Sequence, residues 1–164
     1  MFTNKSYSVL QRDSIIEQLG DEKQLLSISP NAGNTKIRVL VIDDEENCLM
    51  ATELYLENMG YTVSTVMGGI AGLKFIKSNY NNIDVILVDM MMPDLYGLDL
   101  VAELKSSPHL SNIPIILQTG VMDNKELTRA FDMGIVGILS KPYGKRELEA
   151  VFSKALNSLI ANNA

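Results

Sequence analysis

Cysteine is almost missing from this chain: Cys48 is the only one among 164 residues. No intramolecular disulfide can form, and a reducing cytoplasm is the expected compartment. Cys48 reads as a small, half-buried helix residue. No histidine lies near it in the sequence and acidic neighbours would raise its pKa, which argues against a reactive thiol. Long apolar runs are missing too. No stretch approaches the roughly 20 residues that span a bilayer. The opening M-F-T-N-K-S-Y-S has no basic segment followed by an apolar core, so no export signal is expected. Nor is there a surplus of positive charge: 14 Lys and Arg stand against 20 Asp and Glu, for a formal net charge of −6 and a pI near 4.8. Binding to phosphate backbones relies on clustered Lys and Arg, and here they are scattered. A protein partner or a cation-dependent ligand suits this balance; direct nucleic-acid or membrane binding does not. No repeat or low-complexity tract appears.

What is present is the composition of an ordinary globular protein, 46% hydrophobic and 21% charged, at a length that suggests one domain plus an appendage. Residues 1–36 form the appendage. Val9, Ile16, Leu19 and Leu26 fall at heptad-like intervals, Ser14 and Glu17 suit a capping box, and Gly20 interrupts the pattern. A surface helix packed on its own domain and a dimerisation or docking helix both fit. S-I-S-P-N-A-G-N-T then has linker composition.

Over residues 37–162 strand and helix signals alternate. Strands are expected at 37–42, 61–66, 83–88, 114–117 and 136–139. Helices are expected at 47–59, 69–77, 98–105, 125–133 and 145–162, two of them closed by Gly60 and Gly134. Five β-α units with short connections predict an α/β fold, a doubly wound parallel sheet covered on both faces.

Four apolar runs in this region end in reactive residues: V-L-V-I-D-D at Asp43 and Asp44, I-L-V-D at Asp89, I-I-L-Q-T at Thr119 and G-I-L-S-K-P at Lys141. As neighbouring parallel strands they would gather these side chains at the carboxyl edge of one sheet, where open α/β sheets bind ligands. Asp89 is followed by M-M-M-P-D-L-Y-G, a loop punctuated by Pro93 and Gly97 that can expose a side chain. A carboxylate there can act as a nucleophile toward phosphorus. Three clustered carboxylates repel one another unless a cation or a proton intervenes, and hard oxygen ligands suit Mg²⁺. The Lys141 ammonium is a point-charge partner for a phosphoryl oxygen, and the Thr119 hydroxyl can donate to a second. The Lys141–Pro142 bond is one of the few that can be cis. Each residue also has an ordinary structural explanation, such as helix capping by Asp44 and Glu45 or a turn at Lys141-Pro142. Their joint placement at four strand ends would then be coincidence.

The ordered set Asp43-Asp44, D-M-M-M-P-D-L-Y-G from Asp89, Thr119-Gly120 and Lys141-Pro142-Tyr143 closely resembles the receiver domain of two-component response regulators, over residues 36–162. The resemblance implies a flavodoxin-like sheet of strand order 2-1-3-4-5, a receiver domain at 37–162 and an N-terminal helical extension at 1–36. It implies that Asp89 accepts a phosphoryl group from a histidine kinase or phosphotransfer protein. Asp44 and Asp89 would ligate Mg²⁺ directly, Asp43 mainly through water, and the carbonyl of Met91 would add a ligand. Thr119 and Lys141 would bind the phosphoryl oxygens. The expected role is a switch of protein–protein contacts with no output domain of its own, acting on a downstream effector or as a homodimer. It would be a phosphoacceptor with at most slow autodephosphorylation, not a turnover enzyme.

Two positions depart from the family pattern. Ile138 stands three residues before Lys141, where an aromatic switch residue is usual, so the usual coupling to Thr119 has no ring to act through. Gly72 replaces a common alanine, a change expected to matter little. Ile138 keeps open a non-switching receiver-like scaffold that only binds a partner. A haloacid-dehalogenase-type phosphohydrolase needs a second Asp two residues after its nucleophile; Asp89 is followed by Met90 and Met91, and Asp43 by Asp44 and Glu45. Flavodoxin-like cofactor binding lacks a Gly, Ser or Thr phosphate loop after the first strand.

Overall fold

Residues 38–43, 85–89 and 115–119 are β-branched and aliphatic at nearly every position, and the computed structural model, which describes residues 36–163 and side chains through 157, makes them the centre of a sheet. The elements in chain order are β1 (Arg38–Asp43), α1 (Glu46–Asn58), β2 (Thr62–Met67), α2 (Gly69–Asn79), a 3₁₀ turn (Tyr80–Asn82), β3 (Val85–Asp89), α3 (Gly97–Ser106), β4 (Ile115–Thr119), α4 (Asn124–Asp132), β5 (Gly137–Ser140) and α5 (Lys145–Asn163). All strand pairs are parallel, in the order β2-β1-β3-β4-β5. Element ends differ from the sequence expectation by a residue or two, and the 3₁₀ turn was not expected. The expected extension, with its heptad-like residues and capping box, lies outside the described residues, as does its junction with the domain.

The sheet divides the core in two by the period-2 alternation of strand side chains. Leu40, Ile42, Ile86, Val88, Ile115 and Leu117 pack with Ile76 of α2, Leu98, Val101 and Leu104 of α3 and Ala130 of α4. On the opposite face Val39, Val41, Val85, Leu87, Ile116 and Leu139 pack with Leu49 and Leu56 of α1 and Leu148 and Phe152 of α5. The central strands are therefore apolar throughout because both faces are covered. Edge strand β2 buries little: Val63 joins the α1–α5 side and Val66 the other.

β1 lies beside β3 because β2 occupies the outer edge, so the two acidic strand ends meet although the strands are not consecutive. At the opposite end of the same pair, Arg38 donates from its backbone N, Nε and Nη2 to the Asp84 carboxylate at 2.7–2.9 Å. Burial pushes the Asp84 carboxyl up, but the Arg38 hydrogen bonds and charge outweigh it and hold the group below its usual range. A carboxyl lowered on folding contributes stability that is fully present above its unfolded value, about 3.9, and lost as pH falls through the folded value. Asp84→Asn should therefore lower the melting temperature at pH 7 and hardly at pH 2.5. An equal deficit at both pH values would show that shape, not charge, joins β1 to β3.

Gly72 is not interchangeable with alanine, contrary to the expectation from sequence. A Cβ there would lie 2.6 Å from Ile42 Cδ1 and 2.8 Å from its Cγ2, in the floor of α2 against β1. Overpacking of this kind costs about 1–3 kcal/mol. We expect Gly72→Ala to lower the urea midpoint accordingly and Ile42→Val, which removes the nearest methyl, to recover part of the loss in the double variant. Additive losses would show that Ile42 is not the obstacle.

Candidate functional site

Asp43, Asp89 and Thr119 are the last residues of β1, β3 and β4, and Lys141 follows β5 directly. The four strand ends thus bring them, with Asp44, to one edge, as the sequence motif predicted. Asp43 and Asp89 are almost wholly buried, and Asp44 is half-buried. Lys141 Nζ lies 2.7 Å from Asp43 Oδ2 and 2.7 Å from Asp89 Oδ1. The remaining oxygens of this pair accept backbone N–H groups: Glu45 N to Asp43 Oδ1 at 2.9 Å and Met91 N to Asp89 Oδ2 at 2.8 Å. Asp44 makes no hydrogen bond or ion pair among the described residues, which leaves its carboxylate free. The Lys141–Pro142 bond is cis.

Charge at this edge is out of balance. Burial works against the Lys141 ammonium, but its bonds to Asp43 and Asp89 outweigh that and hold its pKa above the ordinary lysine value. Asp43 is nonetheless held above the usual carboxylate range, first by burial and also by the charge of Asp89, against the pull of Lys141 and Glu45 N. The two directions agree physically: one ammonium serves two buried carboxylates and cannot neutralise both. Asp43, Asp44 and Asp89 each offer an oxygen, all within 4.8 Å of one another. Closely set hard oxygen ligands with uncompensated negative charge fit a divalent cation such as Mg²⁺. Cys48 also comes near Asp43 and Glu45, but burial pushes its thiol up, so it is a poor ligand for a hard cation.

Thr119 reaches the edge, but its hydroxyl donates to the carbonyl of Val121 at 2.8 Å and has no bond to Lys141 or Asp89. Its backbone carbonyl accepts from Lys141 N, which joins the ends of β4 and β5. Ile138 sits in β5, partly buried against the core.

The loop after Asp89 is fastened at several points. Met90 is fully buried; its N–H donates to the Gln118 carbonyl, and its carbonyl accepts from Gly97 N. Met91, by contrast, is 64% exposed at the mouth of the site. Asp94 accepts from Gly69 N and Ile70 N, so the loop caps α2, whose own N-cap residue is Gly68. Those backbone N–H groups, Ile70 first, hold the Asp94 carboxyl below its usual range. The Tyr96 hydroxyl donates to Glu126 Oε1 at 2.6 Å, and Glu126 also closes the Asp123 capping box of α4. Burial and this acidic partner push the Tyr96 phenol up to about 12, so the loop is joined to α4 through a protonated hydroxyl.

Sequence reasoning missed a second set of residues beneath the carboxylates. Gln118 is fully buried and donates from Nε2 to Asp43 Oδ2 at 2.6 Å. Its Oε1 accepts from the Tyr143 hydroxyl at 2.6 Å, and that hydroxyl meets Thr52 Oγ1 of α1 at 2.7 Å. The one signal in the sequence was the amide in the apolar run I-I-L-Q-T, since a buried polar side chain needs a partner.

The family profile described as the response regulator receiver domain matches residues 39–153. The response regulator SaeR of Staphylococcus aureus is 31% identical over 110 residues, 67% of this chain and 46% of SaeR. The CAI-1 autoinducer sensor kinase/phosphatase CqsS of Vibrio cholerae is 34% identical over 143 residues, 83% of this chain and 21% of CqsS. The chain thus spans about half or less of the length of these curated relatives. Among solved structures, a receiver domain protein from Clostridium thermocellum superposes with a TM-score of 0.68 at 33% identity, covering 74% of this chain and 94% of that one. No helix among the described residues is long and apolar enough to cross a membrane.

Proposed function

The chain belongs to the response regulator receiver family, and we propose that it is a phosphoryl-accepting switch whose acceptor is Asp89. Receiver domains act with histidine kinases and effector proteins in two-component signalling. The observation that carries the reading is the shared ammonium: Lys141 Nζ at 2.7 Å from both Asp43 and Asp89, beside three carboxylates whose oxygens lie within 4.8 Å.

In this reading Asp44, Asp89 and the Met91 carbonyl would hold Mg²⁺, with Asp43 supporting them through water. When bound, the cation neutralises the carboxylates and polarises the incoming phosphoryl group. An Asp89 oxygen attacks phosphorus of a donor phosphohistidine. The P–N bond breaks as the P–O bond forms, and the imidazole leaves with the electron pair and takes up a proton. Lys141 then moves its ammonium from carboxylate to phosphoryl oxygen, and Thr119 turns its hydroxyl from Val121 toward a second oxygen. The acceptor is modified stoichiometrically, and hydrolysis of the acyl phosphate is slow. Relatives that are a response regulator and a sensor kinase/phosphatase support a histidine kinase or phosphotransfer protein as donor and a partner protein as receiver of the signal. In this reading the chain works in a reducing cytoplasm, which its single cysteine, Cys48, suits.

Incubation with acetyl phosphate or a phosphohistidine donor, with and without Mg²⁺, tests this by intact mass. A Mg²⁺-dependent phosphoryl adduct on the wild type, absent from a folded Asp89→Ala variant, is expected. A folded wild type that takes up nothing from either donor would leave the scaffold reading, which Ile138 favours.

A further inference from the structure

The buried side chains beneath the acidic edge form a line across three elements and a loop: Thr52 of α1, Tyr143 after β5, Gln118 of β4 and Asp43 of β1. The chemistry of its last member fixes the direction of every bond. The Asp43 carboxylate is held by Lys141, so it accepts, and Gln118 presents its amide NH₂. The Gln118 Oε1 therefore faces Tyr143, whose hydroxyl must donate to it. The Tyr143 oxygen is then left to accept, and Thr52 donates. All three side chains thus send their hydrogens one way, toward Asp43. Aligned donors in a dry interior polarise one another, and Thr52, Gln118 and Asp43 are at most 2% exposed.

Asp43 Oδ2 takes two donors, Lys141 Nζ at 2.7 Å and Gln118 Nε2 at 2.6 Å. One of them is mobile in the proposed reaction. Lys141 also holds Asp89 Oδ1, and its ammonium is drawn to the phosphoryl group once that oxygen becomes esterified. Gln118 has no such second task, because its other atom is anchored by Tyr143. We propose that Gln118, Tyr143 and Thr52 are positioning residues that keep the Asp43 carboxylate aimed at the cation while Lys141 changes partner. This rests on reading the edge as a Mg²⁺ and phosphoryl site. It also accounts for a buried amide directly after Ile115, Ile116 and Leu117 in β4, where burial alone would favour another aliphatic residue.

Calorimetric titration of the full chain with Mg²⁺, without any phosphodonor, tests it in the wild type and in Gln118→Met, Tyr143→Phe and Thr52→Val. Outer partners of a direct metal ligand change affinity by about 10–100-fold, and Asp43, which acts through water, sets the low end of that range here. We expect Gln118→Met and Tyr143→Phe to weaken Mg²⁺ binding about 10-fold and Thr52→Val less. The double Tyr143→Phe, Thr52→Val variant should be no worse than Tyr143→Phe, because both act through one chain of bonds. Acetyl phosphate labelling should then need more Mg²⁺ for half-maximal rate and recover near the wild-type rate at saturation, a split that a packing defect would not produce. Should an inner variant fail to fold, Thr52→Val, which removes only the outermost donor, still decides. Wild-type Mg²⁺ affinity in every folded variant would overturn the positioning role alone. No Mg²⁺ uptake by the wild type would overturn the functional reading and this one with it.

Discussion

Gly97→Ala should destabilise the domain by about 2–4 kcal/mol and displace Asp89 with it. Gly97 is the first residue of α3, and a Cβ there would lie 2.6 Å from the Asp89 carbonyl oxygen and 2.7 Å from Met90 Cα. Both obstacles are backbone, so no side chain can turn aside. The start of α3 must retreat, and the Gly97 N–H to Met90 carbonyl bond at 2.8 Å must stretch or break. Behind it the fully buried Leu98, Val101 and Leu104 lose their fit against β3 and β4. Gly120→Ala is the control: nothing lies within 4 Å of its Cβ position and its backbone is not left-handed, so stability should stay within about 0.5 kcal/mol. Urea unfolding of both variants measures the difference. Equal midpoints would mean that the loop after Asp89 yields freely and that the close approach of α3 to Asp89 is unimportant.

Lys141→Met keeps the aliphatic stem and deletes the ammonium that two buried carboxylates share. Removing one partner of a buried ion pair leaves an uncompensated charge and costs about 3–5 kcal/mol, so the metal-free variant should melt well below the wild type at pH 7. The pH dependence follows from Asp43, whose folded pKa already lies above its ordinary value. Its ionised form is the unfavourable one in the fold. The cost is absent below the unfolded value and grows as pH rises through the folded value, and loss of Lys141 drives that value higher. The deficit of the variant should therefore shrink as pH is lowered from 7 toward 4.5. Saturating Mg²⁺ should raise the melting temperature of the variant more than that of the wild type, since binding to the folded state alone stabilises it. Calorimetric melting over this pH range, with and without Mg²⁺, checks both statements. A variant that melts with the wild type at every pH would show that Lys141 does not neutralise these carboxylates.

Much of the site was legible because it is written at strand ends. A run such as V-L-V-I-D-D states both that a strand is buried on two faces and where it reaches the edge, so the sequence alone brings Asp43, Asp44, Asp89 and Lys141 together. The residues that were missed act across the fold. Gln118, Tyr143 and Thr52 lie on separate elements, and nothing in their spacing says that three side chains meet beneath a carboxylate. Asp94 reads as a loop residue and caps a helix 24–25 positions earlier. Gly72 appeared interchangeable with alanine because its constraint is Ile42, thirty positions away in sequence and 2.6 Å away in space.

The sequence by itself determined the alternation of strands and helices, the parallel doubly wound sheet and the acidic edge, because hydrophobic period and strand-end chemistry are local properties of the chain. Only the tertiary structure decided that one lysine is divided between two aspartates, that Thr119 rests on Val121 instead of facing Asp89, and that a buried line of donors ends on Asp43. Those are matters of distance within a packed interior, where burial strengthens each polar contact and a difference of one ångström determines which partner a group takes.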